Sequence, residues 1–118
     1  MQYSVPLRLQ MEGDGSLDSL HSWIQANLNE DLSVEALAAK AGMSPRTFAR
    51  VFSRQTGRTP AKTVELLRLE TARRLLEESS LSLKEIAVRC GFLEEDRMRR
   101  SFLRSLGVSP QTYRARFG

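Results

Sequence analysis

The sequence LAAKAGM at residues 37–43 is echoed by IAVRCGF at residues 86–92, about fifty residues further along the chain. A second pair follows at nearly the same offset, with RVFSR at residues 50–54 and RSFLR at residues 100–104. Each copy combines a short apolar helix, a glycine that can take a positive φ, and a second helix rich in arginine. This order is typical of a helix-turn-helix unit, and the chain contains it twice.

The helices of the first copy are predicted from apolar spacing and capping residues. Gly42 can turn the chain sharply, and Ala38, four residues earlier, is small enough to let the next helix cross closely. Ser44 and Pro45 suit the N-cap and the first position of that next helix. Its inward stripe is predicted to be Phe48, Val51 and Phe52.

Arginine recurs every four residues after the first turn, at Arg46, Arg50, Arg54 and Arg58. No acidic residue lies between Ser44 and Lys62. Like charges at this spacing repel one another, whereas a solvated helix usually mixes both signs. A polyanionic partner would remove that cost, which favours a DNA groove over a merely solvated face.

The second copy places Arg97, Arg100 and Arg104 at i, i+3 and i+7, with Arg99 on the flank. Aligning the phenylalanines of the two copies leaves the turn glycines one residue out of step, so the second turn is predicted to carry one extra residue. The opposing apolar stripe is predicted to be Met98, Phe102 and Leu106.

Three acidic residues, Glu94, Glu95 and Asp96, open this second arginine-rich helix. Acidic side chains suit the positive end of a helix dipole, so capping is the first interpretation. The alternative is that Glu95 or Asp96 accepts a hydrogen bond from a cytosine amino group. Capping is favoured, because carboxylates close to phosphates are usually repelled.

The rest of the chain completes an all-α fold of seven helices, with two helix-turn-helix subdomains joined by a central linker helix. Residues 1–16 show no helical or strand period and are predicted to be a linker or disordered tail of a longer protein. Residues 17–118 form the domain, with a first unit at 17–57, the linker helix at 60–78 and a second unit at 82–117. A first helix starts at Leu17 with Ser16 as its cap.

Further capping signals are expected at Thr59 for the linker helix, at Ser82 with Glu85 for a helix over 84–90, and at Ser109 for the last helix. The linker helix would be about 27 Å long, close to the ~34 Å between successive major-groove faces of B-DNA. Its inner face is predicted to be Val64, Leu67, Thr71, Leu75 and Leu76, and the last helix is predicted to pack Tyr113 and Phe117.

Composition limits the class of protein. The 118 residues carry a net charge of +4, and the basic residues are concentrated after residue 42, as a nucleic-acid footprint requires. No apolar run could span a membrane and no signal peptide is evident, so a cytoplasmic protein is expected. Cys90 is predicted to be a small buried residue, Trp23 to pack in the core, and His21 lacks partners for a metal site. We find no pattern for catalysis or for a cofactor.

Several motifs together closely resemble the signature of AraC/XylS-family transcriptional regulators across about residues 17–117. They are Gly91-Phe92, Phe102, Gly107, Ser109-Pro110 and Tyr113-Arg114, with Arg68, Ala72, Arg73, Leu75 and Leu76 in the middle helix. The pair Arg99-Arg100 and the segment Ser109-Pro110-Gln111 look most like the GlxA-like subgroup, in which this domain follows an amidotransferase-like domain.

The resemblance implies that two recognition helices enter successive major grooves on one face of double-stranded DNA. By position, it implies that the first helix reads DNA with Arg46, Thr47, Ala49 and Arg50, and the second with Glu95, Asp96, Arg97, Arg99 and Arg100. Ala49 and the acidic run at 94–96 depart from the family pattern.

The resemblance also implies promoter binding near RNA polymerase, usually with activation, and a separate N-terminal domain that senses a ligand or dimerises. The alternative hypothesis is a basic helical protein-interaction module without specific DNA readout. Binding to random duplex at low salt separates the two, because the interaction module would show little.

Overall fold

The computed structural model describes residues 14–118, with side chains described from Ser19 onward. This part of the chain forms seven helices and no strand, which confirms the predicted fold class. The helices are α1 (Asp14–Ala26), α2 (Val34–Ala41), α3 (Pro45–Thr56), α4 (Pro60–Glu78), α5 (Leu83–Arg89), α6 (Glu95–Leu106) and α7 (Pro110–Phe117).

Helix α1 begins at Asp14, three residues before the predicted start at Leu17. Ser16 therefore lies inside the helix, and its predicted role as the cap is wrong. The first turn, Asp14 to Ser16, contains no apolar residue, so apolar spacing could not reveal it. The predicted tail at 1–16 otherwise falls on residues 1–13, outside the described residues.

The described residues fall into two compact units. The first unit contains residues 14–27 and 31–64, and the second contains residues 28–30 and 65–118. The boundary lies within α4, so most of the predicted linker helix belongs to the second unit.

The first unit is built around its helix-turn-helix pair, α2 and α3. Ser33 and Ser44 cap the two helices, each accepting a hydrogen bond from a backbone N–H at 3.2 Å. Such caps satisfy the N–H groups that a helix start leaves without partners. Trp23 is half-buried, with the Lys40 ammonium 4.4 Å from its ring centroid. The buried core comprises Leu20, Ile24, Leu32, Leu37, Ala38, Ala41, Phe48, Phe52 and Val64, while Val51 of the predicted stripe is half-buried.

The second unit has a continuous core beneath α6. The rings of Phe102 and Tyr113 meet edge to face with centroids 6.0 Å apart, a geometry that aromatic pairs prefer. The buried cluster comprises Leu69, Ala72, Leu76, Ile86, Ala87, Cys90, Phe92, Met98, Phe102 and Tyr113.

Two residues predicted to pack inward remain exposed. Leu106 is 37% exposed and Phe117 is 60% exposed, although the Phe117 ring lies 4.7 Å from that of Tyr113. Both are the last residues of their helices, where fewer neighbours cover a side chain.

The inner face of α4 also differs from the prediction. Leu67 and Leu76 are buried as expected, but Thr71 and Leu75 are only half-buried. Because α4 contributes residues to two units, its buried positions do not follow a single stripe. The buried positions that the prediction missed are Pro60, Thr63, Leu69 and Ala72.

Capping is confirmed at most of the predicted helix starts. Thr59 Oγ1 accepts from the Lys62 N–H at 3.1 Å, and Ser109 caps α7 through the Thr112 N–H. Helix α5 runs over Leu83–Arg89, one residue earlier than predicted at both ends. Ser82 Oγ accepts from the Glu85 N–H at 3.1 Å, while the Glu85 carboxylate pairs with Arg89.

Cys90 is fully buried, as predicted, and burial raises the pKa of its thiol to about 11. The thiolate is the reactive form, so we expect native protein at pH 8 to resist alkylation by iodoacetamide. Unfolding in urea should restore rapid labelling. Mass spectrometry can follow the reaction without ambiguity, because the chain has one cysteine. Labelling of the native protein at the unfolded rate would contradict this burial.

Candidate nucleic-acid interface

The turn that precedes each arginine-rich helix sets the direction in which that helix leaves. Three residues, 42–44, separate α2 from α3, whereas five residues, 90–94, separate α5 from α6. Counted from the turn glycine, the first turn comprises residues 42–44 and the second comprises residues 91–94, so the second is one residue longer, as predicted. Leu93 takes a left-handed backbone with φ of 72° and is 61% exposed. The N–H groups of Phe92 and Leu93 both donate to the Ala87 carbonyl, at 2.9 and 3.2 Å.

Helix α3 presents cations without compensating carboxylates. Arg46, Arg50 and Arg54 on α3 and Arg58 just beyond it are all exposed. None of the four makes an ion pair with a residue that the structure describes. Their guanidinium groups therefore remain available to an anionic ligand, and each offers five N–H donors.

Two other predicted reader positions on α3 are less accessible. Thr47 and Ala49 are both half-buried, and the Thr47 N–H donates to the Ser44 hydroxyl. A hydroxyl and a methyl group at these positions can contact a thymine methyl or a sugar, but both groups are neutral and cannot pair with a phosphate.

Helix α6 also exposes its predicted reader residues, but three of its arginines pair with carboxylates. The Asp96 carboxylate accepts a hydrogen bond from Arg99 Nη2 at 2.5 Å and forms an ion pair with Arg100 Nε at 3.4 Å. The hydrogen bond from Arg99 lowers the pKa of Asp96. The exposed predicted residues of this helix are Glu95, Asp96, Arg97, Arg99, Arg100 and Arg104.

Arg104 is held by an acidic residue of α4. Its Nη2 donates to the Glu65 carboxylate at 2.5 Å, and the Ser101 hydroxyl donates to the same oxygen at 2.6 Å. The Glu65 side chain is 18% exposed, while that of Arg104 is 64% exposed. This contact anchors α6 to α4, and no periodicity in the sequence could have revealed it.

A close backbone approach supports the second turn from beneath. A Cβ added at Gly91 would lie 1.9 Å from the Leu28 carbonyl oxygen. Arg68 Nη2 donates to that same oxygen at 3.1 Å. Burial lowers the pKa of Arg68. The sequence marks Gly91 as a turn residue, but the packing against Leu28 comes only from the tertiary structure.

Arg114 closes the carboxyl end of α4. Its guanidinium donates to the carbonyls of Leu76, Ser79 and Leu81, at 3.3, 3.2 and 2.7 Å. The last carbonyls of a helix have no partners within that helix, so these bonds satisfy groups left open at its end. Both Arg68 and Arg114 belong to the motifs that resemble the family signature, and in this structure both donate hydrogen bonds to backbone carbonyls.

Among the described residues, no group of histidine, cysteine, aspartate and glutamate side chains could hold a metal ion. No helix in the described part combines the length and apolar character needed to cross a membrane.

Comparison with known proteins gives a family match across most of the chain. A family model described as a helix-turn-helix domain matches residues 37–116. The chain is 52% identical over 81 residues to the HTH-type transcriptional regulator Rv1931c of Mycobacterium tuberculosis, a match that covers 69% of this chain and 31% of that protein. It is 38% identical to the HTH-type transcriptional activator RhaS of Salmonella schwarzengrund, covering 97% of this chain and 43% of RhaS. The chain thus spans less than half the length of these relatives.

A solved structure is similar to this chain in both fold and sequence. The DNA-binding domain of AdpA, a global transcriptional factor, was solved in complex with a target DNA. It superimposes with a TM-score of 0.80 at 44% identity, covering 86% of this chain and 91% of the AdpA domain. The C-terminal domain of AraT, a response regulator from Geobacillus stearothermophilus, matches with a TM-score of 0.80 at 28% identity, covering 85% of this chain and 84% of that domain.

Proposed function

Because this chain belongs to the AraC family of helix-turn-helix DNA-binding domains, we propose that it binds double-stranded promoter DNA sequence-specifically and regulates transcription. Members of this family are transcriptional regulators and not enzymes. The observation that carries the proposal is the set of exposed arginines on α3, none of which pairs with a carboxylate in the described structure. Such a helix suits the acceptor-rich edges and phosphates of a major groove.

Each arginine-rich helix is assigned to one major groove. In this proposal α3 reads bases with Arg46, Thr47, Ala49 and Arg50, and Arg54 contacts the phosphate backbone. Helix α6 reads the next groove with residues near its start. The α6 positions assigned to the DNA interface, by direct contact or through a neighbouring side chain, are Glu95, Asp96, Arg97, Arg99, Arg100 and, near the end of the helix, Arg104.

Further features of the whole protein are proposed from the family. RhaS is named a transcriptional activator, and we extend activation near RNA polymerase to this chain as a hypothesis. The relatives are more than twice as long as the matched region, which supports a separate sensor or dimerisation domain in the full protein. The segments Arg99-Arg100 and Ser109-Pro110-Gln111 support placing it among the GlxA-like regulators. A protein that binds promoters acts in the compartment that holds the chromosome, here proposed to be the cytoplasm.

The decisive experiment starts from selection of bound sites out of random duplexes. Simultaneous docking of α3 and α6 predicts two preferred sequence blocks about 10 base pairs apart. A selection that yields one block would show that a single unit reads DNA. A selection without any enriched sequence would contradict specific binding.

We expect Arg50→Ala and Arg100→Ala each to reduce discrimination between the selected duplex and random duplex. A bidentate arginine-guanine contact supplies about 1–3 kcal/mol of discrimination, so the affinity ratio should fall roughly 5-fold to 150-fold. Fluorescence anisotropy titrations at fixed salt measure both affinities. Circular dichroism should show an unchanged fold, because both side chains are exposed.

Arg116→Ala provides a charge-matched control, since Arg116 is exposed on α7, outside the proposed recognition helices. It should weaken binding to both duplexes alike and leave their ratio unchanged. If neither Arg50→Ala nor Arg100→Ala alters the ratio, the base-reading roles are wrong. If the chain fails to bind random duplex even at low salt, the protein-interaction alternative replaces the proposal.

A further inference from the structure

We infer that Asp96 is a positioning residue for the second recognition helix: its carboxylate holds the guanidinium groups of Arg99 and Arg100 and so sharpens the choice of base by Arg100. This inference rests on the proposed function, because it requires α6 to lie in a groove of duplex DNA. It assigns Asp96 a specificity role that acts through an arginine, without direct contact to a base.

The geometry uses both oxygens of a single carboxylate. Asp96 Oδ1 accepts from Arg99 Nη2 at 2.5 Å, and Asp96 Oδ2 lies 3.4 Å from Arg100 Nε. The two arginines follow Asp96 at i+3 and i+4, the positions that share a face with it on an α-helix. One acidic side chain therefore restrains two of the arginines at the start of α6.

The point of attachment decides what each arginine can still bind. Arg100 is engaged through Nε, so its terminal Nη1 and Nη2 groups remain available as a pair. Two parallel N–H donors are what guanine O6 and N7 accept in the major groove. Arg99 is engaged through Nη2, one of the two groups of its terminal pair. The structure thus favours Arg100 as the bidentate reader and Arg99 as a phosphate contact.

Ion pairing adds little to folding here, and the helix-dipole contribution expected of an acid at this position does not require either arginine. The side chains of Asp96, Arg99 and Arg100 are 55%, 51% and 59% exposed, and exposed ion pairs contribute little to stability. A carboxylate at a DNA-facing position also repels phosphates and lowers affinity for any duplex. Helix α3, which has no acidic residue, avoids that cost. In α6, the loss of affinity is offset by a gain in discrimination, because the restrained arginines have fewer guanidinium orientations left to be fixed on binding.

The test compares Asp96→Asn with Glu94→Gln, a matched control. Glu94 is exposed, lies two residues earlier and makes no side-chain capping hydrogen bond. Both changes remove one negative charge, so both should strengthen binding to random duplex by a similar factor. Only Asp96→Asn should also lower the ratio of selected to random affinity, about threefold to tenfold. This is a fraction of what a bidentate arginine-guanine contact supplies.

A double-mutant cycle with Arg100→Ala completes the experiment. If Asp96 acts through Arg100, Asp96→Asn should have no further effect on the affinity ratio once Arg100 is alanine. An equal effect in both backgrounds would overturn the inference, because it would show that Asp96 acts without Arg100. Equal ratios for Asp96→Asn and Glu94→Gln would overturn it as well.

The results for Arg100→Ala and for the double-mutant cycle separate the base-reading role of Arg100 from the positioning role of Asp96. If Arg100→Ala leaves the ratio unchanged, α6 does not read bases through Arg100, and both its proposed role and the inference are wrong. If Arg100→Ala lowers the ratio but the cycle is additive, the proposed function stands and only the positioning role of Asp96 is lost. Thermal unfolding should shift by a similar small amount in Asp96→Asn and Glu94→Gln, since each removes an acid from the start of α6 and the ion pairs are exposed.

Discussion

Gly91→Ala is expected to destabilise the second unit by about 2–5 kcal/mol, the largest effect of any single change that we propose. The backbone of Gly91 has φ of 87°, a left-handed conformation that costs other residues roughly 1–2 kcal/mol. In addition, the new Cβ would meet the Leu28 carbonyl oxygen at 1.9 Å, and the nearest atoms include Arg68 Nε at 2.7 Å. Because the obstacle at 1.9 Å is backbone, relief requires movement of the chain around Leu28.

Gly42→Ala is the matched control for this prediction. Gly42 ends α2 with φ of 72°, but a Cβ there would have no neighbour within 4 Å. It should therefore cost only the conformational strain, about 1–2 kcal/mol. Urea unfolding followed by circular dichroism measures both variants. Equal losses for the two glycines would show that the contact between Gly91 and Leu28 contributes nothing.

Arg114→Ala is expected to lower the free energy of unfolding by about 2–3 kcal/mol. The change removes three hydrogen bonds from a charged donor to the carbonyls of Leu76, Ser79 and Leu81. Those carbonyls lie at or just beyond the end of α4, where the helix supplies no further N–H groups. The loss stays below the sum of three such bonds, because Arg114 is only half-buried and water can reach part of the site.

Arg116→Ala separates the role of these bonds from the removal of a positive charge. Arg116 lies on the same helix and is exposed, so its loss should change stability by no more than about 0.5 kcal/mol. Arg114→Lys should recover only part of the stability, since an ammonium group cannot span three carbonyls as a planar guanidinium does. Urea denaturation at fixed pH measures all three variants. A loss for Arg116→Ala as large as for Arg114→Ala would assign the effect to charge alone.

Local signals predicted most of the fold. Ser44, Ser82 and Ser109 all cap the helices expected of them, because a capping residue acts within a few residues of the helix start. The start of α1 was missed because its first turn is polar. The burial of α4 was only partly predicted, since one helix that serves two units does not show one apolar stripe.

The candidate interface was predicted by residue type but not by charge pairing. Spacing places the arginines of both recognition helices on exposed faces, and the structure confirms that exposure. Residue spacing cannot show that Glu65 holds Arg104, because these residues lie 39 positions apart in the chain. Nor can it separate Arg68, which bonds a backbone carbonyl, from arginines that remain available to DNA. Such contacts depend on tertiary packing and follow no sequence period.

The extra residue at Leu93 means that the two halves of this protein are not interchangeable modules. Counted from the turn glycine, the buried pair is Phe48 and Phe52 at positions 6 and 10 in the first unit, but Met98 and Phe102 at positions 7 and 11 in the second. Because each helical residue advances by roughly 100°, an α3 sequence placed residue for residue after Gly91 would turn its apolar stripe away from the core. Redesign of the second half for a new operator therefore has to preserve the length of residues 90–94 and vary only the outward positions of α6.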